Sequence, residues 1–371
     1  LVTAAQTTRS FTADKTNEYA LVYSLPRTVL DITIETVHTA TLPGEFSNYA
    51  KRYLGITDAI TTPSNSVRVK SVTIIPRGIP GGADSRWQVQ FKNGSAASML
   101  LTETGIPLAV NTDSIASTNA VTLPVAVDAA PTPLESDAAR QAVTQDMTRS
   151  SSISKKAELA AQRIFELRET RSDLLSGNAD NPPADGKAMQ LVLDNLAAQE
   201  AALTAMFAGT TQTYTRVTTL TYTPGTAESR EILARVSPTE GIVPADDLSG
   251  APIYISLTNI AKAEMPVTEK GEPKRFPKGG LAYTIPGTAS VTLTYDGATI
   301  THKDLTLAQL GVVFGINPAL FSDKKAPAYA TFDPTTGAIT ALGAIELHSY
   351  IRVYEATRLY LYRLARDDSY N

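Results

Sequence analysis

Two long helical patterns in the middle of the chain constrain its fold more than any other feature. Apolar side chains recur at every third or fourth position from 151 to 177 and again from 186 to 209, which is the spacing of an amphipathic helix. The loop that joins the two patterns contains the adjacent prolines Pro182 and Pro183. Because a short loop brings two such helices side by side, the sequence predicts a long antiparallel helical hairpin.

Strand patterns occupy the chain on both sides of this hairpin. Near the start, Leu30, Ile32 and Ile34 alternate with polar residues, which is typical of a half-buried strand. Beyond position 210, short β-branched or aromatic segments are separated by Gly, Pro or Asp, a pattern that favours a β-sandwich. We therefore predict an α+β fold with a β-rich N-terminal domain, a long antiparallel helical hairpin and a C-terminal β-sandwich-like domain.

Changes in composition divide the chain into segments. The residues between the first strands and the hairpin are rich in Ser, Ala, Thr and Pro and poor in large apolar side chains, which predicts an arm or linker. The stretch from Glu346 to Tyr370 lacks Gly and Pro and has the pattern of an amphipathic helix, although its Tyr content also permits a strand. The predicted units are a β-rich domain with a short helix (1–113), the arm (114–150), the hairpin (151–209), the sandwich-like domain (210–342) and the amphipathic tail (343–371).

Composition narrows the classes of function. The chain contains no Cys, which removes thiol nucleophiles, thiolate zinc sites and disulfides. A formal net charge of −4 gives no indication of nucleic-acid binding. No apolar run of about 18 residues predicts a transmembrane segment. The first residue is Leu1; a cleaved signal peptide or lipoprotein leader would fit this start, and the sequence does not distinguish them.

The acidic loop between the two helical patterns, 173–190, invites a comparison with calcium loops. Such loops need oxygen ligands at alternate positions and a closing Glu, whereas counting from Asp180 places Pro182 at a ligand position and finds no such Glu. Helix ends explain the same residues, with Gly177 ending the first helix and Asn181 or Asp185 capping the second. We expect this loop to be a structural corner that binds no metal.

The three histidines, His38, His302 and His348, lie in different regions and do not have metal-ligand spacing. His38 is in phase with the apolar residues of its strand, so we predict a hydrogen-bonded strand histidine. A Ser-His-Asp triad can assemble from distant residues, and the sequence leaves that possibility open. Since the chain has no nucleophile elbow, zinc-protease motif or phosphate-binding glycine loop, we predict no particular catalytic residue, no cofactor and no metal.

Asp246 and Asp247 are the candidate ligand-binding residues. They stand next to each other in the segment GIVPADDLSG, before a predicted strand. Adjacent carboxylates can bind calcium or take part in sugar hydrolysis. Turn chemistry explains the segment equally well, because Pro, Asp, Ser and Gly are the residues that β-turns favour.

Several segments of the chain resemble one family. LRETRSDLLSGNADNPPADGKAM, YSLPRTVLDITIETV, YAKRYLGITDAI and LAYTIPGTASVTLTYDG are similar to segments of uncharacterised exported proteins from anaerobic Gram-negative bacteria that live in animal hosts. These proteins share a domain of unknown function, and the resemblance covers roughly residues 19–342. It implies export to the periplasm or outer membrane and supplies no catalytic residues. Asp113, Ser114 and Ile115 also resemble the O-glycosylation acceptor of such bacteria, which would modify Ser114.

The most direct functional hypothesis is therefore an exported cell-envelope binding or assembly protein without catalytic activity. Its partner would be an envelope protein or a glycan. The alternative is a carbohydrate-processing or peptidase-like enzyme that uses dispersed acidic residues. A deep cleft with two facing carboxylates or an Asp-His pair would favour the enzyme, and the oligomeric state is left open.

Overall fold

A computed structural model describes residues 8–12 and 21–344, except residues 90, 92–96, 116–120, 181, 184–185 and 324–325. The strands are β1 (Thr8–Thr12), β2 (Leu21–Ser24), β3 (Pro26–Leu42), β4 (Ser64–Pro80), β5 (Arg86–Val89), β6 (Ser98–Thr102), β7 (Pro107–Val110), β8 (Thr210–Tyr222), β9 (Ser229–Ser237), β10 (Gly241–Val243), β11 (Ala251–Ala261), β12 (Leu281–Tyr295), β13 (Ala298–Ile316), β14 (Ala328–Phe332) and β15 (Ile339–Ala344). The helices are α1 (Ala50–Leu54), α2 (Asp137–Ala142), α3 (Gln145–Arg149), α4 (Ile153–Ser176) and α5 (Gly186–Ala208). Several antiparallel sheets and one helical segment in the middle of the chain confirm the predicted α+β class.

The first sheet has the strand order β4-β3-β8, and β3 is its central strand. Leu30, Ile32 and Ile34 alternate into the core, as predicted. The interpretation of β3 as half-buried was wrong, however, because Thr33 and Glu35 on its other face are also buried. Strands on both sides shield these two residues, and their polar atoms are hydrogen-bonded: Thr33 to Thr219, and Glu35 to Lys70 and Ser71.

The second sheet, β10-β9-β11-β12-β13, packs against the first. Its inward residues include Ile253, Ile255 and Leu257 from β11 and Val291 and Leu293 from β12, and all of them are fully buried. Alternate positions on these strands carry polar side chains, as expected for an antiparallel sheet with one solvated face. The two sheets form a sandwich around one apolar core.

A third assembly combines the sheet β1-β6-β7-β14-β15 with the ribbon β2-β5. Its core also takes residues from β12 and β13. The buried Tyr23 hydroxyl connects it to β12, since it receives a hydrogen bond from the Ala282 amide at 2.6 Å and donates one to the Ala282 carbonyl at 3.1 Å. The predicted domain boundaries stay a prediction, although strand pairing crosses them: β3 pairs with β8, and β7 pairs with β14.

The helices form a separate cluster on the sandwich. Helix α4 ends at Gly177, which has the left-handed φ of 78°, as the sequence predicts. Glu200 of α5 receives hydrogen bonds from Arg168 and Arg171 of α4. These two ion pairs connect the long helices at their surface. Within the described residues, no helix is long and apolar enough to cross a membrane.

The predicted arm, 114–150, is more structured than its composition indicates. Helices α2 and α3 occupy its second half, and the side chains of Ser136 and Thr144 cap them. Ala142 and Met147 bury their side chains in the helical core. Helices this short leave no clear periodicity in a sequence, which is why the prediction missed them. The predicted amphipathic tail lies outside the described residues from position 345 onward.

Candidate functional site

The side of the second sheet that faces away from the core carries a continuous set of polar residues, which we call the outer polar face. Cross-strand pairing places Tyr254 opposite Thr294, and Ser256 opposite Thr292. Thr292 in turn lies opposite His302. The outer polar face comprises Arg230, Tyr254, Ser256, Thr258, Ser290, Thr292, Thr294, His302 and Asp304.

Arg230 belongs to this face because of a β-bulge. The register between β9 and β11 shifts between the pairs Ile253–Ala234 and Tyr254–Ile232, which leaves Leu233 as the extra residue. A bulge reverses which residues of a strand face each side. Arg230 therefore faces outward, opposite Ser256.

Glu231 lies on the opposite side of the same strand. It pairs with the buried Ile255, and its Oε1 accepts a hydrogen bond from the Tyr222 hydroxyl of the first sheet at 2.7 Å. The shift of register therefore places the positive charge of Arg230 on the outer polar face, and it places the negative charge of Glu231 on the opposite side of the strand.

One end of the outer polar face forms a cavity of about 300 Å³. The guanidinium carbon of Arg230 lies 4.4 Å from the centre of the Tyr254 ring, which is a cation–π contact. The Thr294 hydroxyl is buried and has no hydrogen-bond partner among the described residues. The lining residues are Arg230, Ala251, Pro252, Tyr254, Thr294, Asp296 and Gly297.

A tight turn positions the acidic group of this cavity. Asp296 and Gly297 join β12 to β13 and have φ values of 49° and 76°. Two successive positive φ angles define the type I′ turn, which Asp-Gly and Asn-Gly adopt most readily. Local sequence therefore places Asp296 beside the cavity, whereas the bulge in β9 places Arg230 there.

A Ser, a His and an Asp also meet on the outer polar face. Ser290 donates a hydrogen bond to Asp304 Oδ1 at 2.6 Å, and His302 Nε2 lies 3.5 Å from the same oxygen. The other His302 nitrogen, Nδ1, contacts the Thr292 hydroxyl at 2.8 Å. A catalytic triad needs the imidazole between the hydroxyl and the carboxylate. Here the Asp304 carboxylate lies between Ser290 and His302, so the imidazole is not placed to accept the Ser290 proton.

The predicted ligand-binding pair, Asp246 and Asp247, lies in the loop after β10. Asp247 Oδ1 accepts a hydrogen bond from the Ser249 amide at 2.9 Å, and this bond, followed by one from the Ser249 side chain, holds the pKa of Asp247 below its ordinary value. Arg235 donates to the carbonyls of Ala245 and Gly250. These contacts are typical of a turn, which is the alternative interpretation of this segment from its sequence. Neither aspartate lines the cavity. Their ligand-binding role stays a prediction.

His38 is the hydrogen-bonded strand histidine that the sequence predicts. It is 4% exposed, its Nε2 lies 3.0 Å from the Thr36 hydroxyl, and its ring stacks on Tyr214 with a centroid distance of 4.8 Å. Gly241 is in contact with the ring, and a Cβ added there would lie 2.7 Å from His38 Cε1. Burial, and secondarily the charge of Arg216, lower the pKa of His38.

The remaining predicted positions have simple surroundings. Ser114 is exposed, and its amide donates to the Thr112 hydroxyl at 3.1 Å, so an O-glycan at this serine stays a prediction. Asn181, Asp185 and His348 lie outside the described residues. Within the part of the chain that the structure describes, no three His, Asp or Glu side chains converge as a metal site would require.

Comparison with known proteins identifies the family. A family profile matches residues 19–340 of the 371 residues. The chain belongs to the family described as Domain of unknown function (DUF4831). No curated protein and no solved structure matches the chain. Membership of DUF4831 confirms the resemblance to a domain-of-unknown-function family, while the bacterial host and export stay predictions.

The buried His38 predicts a pH dependence of stability. Its folded pKa lies below the ordinary value of 6.5, so between these two values the unfolded chain binds more protons than the native chain. The free energy of unfolding therefore carries no penalty from His38 above about pH 6.5, and it decreases as the pH falls from 6.5 towards the folded pKa. Urea unfolding between pH 7.5 and 5.5 should show this loss, and His38→Gln should reduce it. An unchanged pH dependence in the folded variant would contradict the assignment to His38.

Proposed function

We propose that the protein is an exported, non-catalytic binding protein of the cell envelope, and that the outer polar face holds its ligand. The observation that carries the proposal is the buried Thr294 hydroxyl, which has no partner among the described residues. Thr294 lines the cavity beside Arg230 and Tyr254. A buried hydroxyl without a partner costs about 1–3 kcal/mol. A ligand that offers a hydrogen bond to it would remove that cost.

The neighbouring groups support binding at the same place. The Tyr254 ring offers a flat apolar surface, and Arg230 adds a charge whose contact with the ring limits its freedom. Few polar groups among apolar walls are typical of small-ligand sites, where the polar groups orient the ligand. The cavity volume of about 300 Å³ is at the lower end of the range for such sites, roughly 300–1,000 Å³.

The same face favours binding over the alternative, a carbohydrate-processing or peptidase-like enzyme. Ser290 and His302 share one carboxylate oxygen of Asp304 and do not contact each other through the imidazole. A general base must reach the hydroxyl proton that it removes. Ser290 instead donates its hydrogen bond to the carboxylate of Asp304, and His302 Nε2 lies 3.5 Å from that carboxylate oxygen.

Thr294→Val tests the binding role. The substitution preserves the shape of the side chain and removes a hydroxyl with no partner, so stability should be unchanged or slightly higher. We expect small molecules from a cell-envelope extract to shift the methyl NMR signals of Thr294, Thr292 and Thr258 in the wild-type protein, and to shift those of Thr292 and Thr258 much less in the variant. Thr211→Val, at an exposed position on β8 of the first sheet, is the matched control and should behave as wild type.

Two results would contradict this assignment. One is a set of shifts that clusters away from the outer polar face. The other is an equal response of the wild-type protein and Thr294→Val to the same extract, since the hydroxyl would then take no part in binding.

Export is supported by the family resemblance. We expect the native protein in the periplasmic or outer-membrane fraction of its cells, with an envelope protein or a glycan as its wider partner. Cell fractionation with antibodies to the protein measures this directly. Recovery of the native protein in the cytoplasmic fraction would contradict the proposed localisation. It would not affect the proposed binding site, which Thr294→Val tests separately.

A further inference from the structure

We infer that the cavity binds a small zwitterion of the α-amino acid type, with a short aliphatic side chain. This inference rests on the proposed function, because it names the ligand class of the same site. It follows from three features of the lining: two opposite charges, apolar walls and one buried hydroxyl that has no hydrogen-bond partner among the described residues.

The two charges face the same small volume. Arg230 and Asp296 both line the cavity, and within the described residues neither forms a salt bridge with a protein group. A zwitterion gives each of them a counter-ion at once, whereas an uncharged sugar pairs with neither charge. Complementarity of charge is what gives a small site its specificity.

Arg230 is prepared to bind a carboxylate. Its guanidinium carbon lies 4.4 Å from the centre of the Tyr254 ring, so the charge is held beside an apolar surface at the cavity. Arginine recognises carboxylates through two parallel hydrogen bonds from that edge. Thr294 lines the same cavity, and its buried hydroxyl has no hydrogen-bond partner among the described residues.

Asp296 provides the opposite end of the site. Its carboxylate accepts hydrogen bonds, and an α-ammonium group offers three donors. The type I′ turn places the backbone of Asp296 beside the cavity.

The walls set the nature of the side chain. Ala251, Pro252 and Gly297 contribute no charge and no hydroxyl to the lining. A volume of about 300 Å³ is large enough for one amino acid. Valine, leucine and isoleucine match this combination of size and apolar surface.

Calorimetry with L-leucine, N-acetyl-L-leucine and L-leucinamide tests the zwitterion requirement. The acetylated compound lacks the ammonium group and the amide lacks the carboxylate. We expect L-leucine to bind the wild-type protein and each blocked compound to bind at least tenfold more weakly, which corresponds to about 1.4 kcal/mol.

Two variants assign the charges to residues. Asp296→Asn keeps a residue that the type I′ turn accepts, so the fold is preserved; it should lose the preference for L-leucine over the acetylated compound. Arg230→Gln should lose the preference for L-leucine over the amide. Asp58→Asn, an exposed substitution in the loop after α1, should leave all three affinities unchanged.

The outcomes separate this inference from the proposed function. Equal binding of L-leucine and either blocked compound would contradict the inference that the ligand must carry both charges. Absence of amino acid binding, with an envelope extract that still shifts the Thr294 signal, would overturn the ligand class and leave the binding function standing. Absence of both responses would overturn both.

Discussion

The side-chain amide of Gln309 is the contact on which the arrangement of the sheets depends. Strand β8 stops pairing with β3 at the Tyr222–Leu30 pair, so the backbone of Thr28 extends beyond it. Gln309 of β13 replaces the missing strand: its Oε1 accepts from the Thr28 amide at 3.1 Å, and its Nε2 donates to the Thr28 carbonyl at 3.0 Å. The same Nε2 also donates to the Pro224 carbonyl. One side chain therefore joins both sheets of the sandwich.

Thr28 extends this junction to the third assembly. Its side chain is fully buried, accepts from the Ala308 amide at 2.9 Å and donates to the Thr335 carbonyl at 3.0 Å. Thr335 belongs to the turn between β14 and β15. Because a buried backbone group without a partner costs about as much as a lost hydrogen bond, the junction fixes how β3, β13 and this turn meet. Two residues of the outer polar face, His302 and Asp304, lie on β13, the strand of the second sheet that this junction holds.

Much of the framework could be read from local sequence. The helical hairpin follows from its periodicity, the end of α4 from Gly177, and the buried state of His38 from its phase on β3. The tight turn at Asp296 and Gly297 is equally visible, since an Asp-Gly pair between strand patterns predicts a two-residue hairpin. Each of these features depends on residues that are close together in the chain, and for that reason each can be predicted from the sequence.

The features that the sequence did not reveal depend on distant contacts. Nothing near Thr210–Tyr222 indicates that this strand completes the sheet of β3 and β4. The bulge at Leu233 is set by the pairing of β9 with β11, so strict alternation along β9 cannot place Arg230 on the outer polar face. Local sequence therefore does not predict this site, whereas the acidic pair Asp246 and Asp247 is visible in the sequence because the two residues are adjacent.

Native-state hydrogen exchange in Gln309→Ala tests most directly whether this junction holds the sheets together. We expect amides of β3, β8 and β13 to lose protection together, by a similar factor, because the variant removes the hydrogen bonds of Gln309 to the amide and carbonyl of Thr28 and to the carbonyl of Pro224. Gln162→Ala, an exposed substitution on α4, should leave these amides unchanged. Loss of protection confined to the residues next to position 309 would contradict the account.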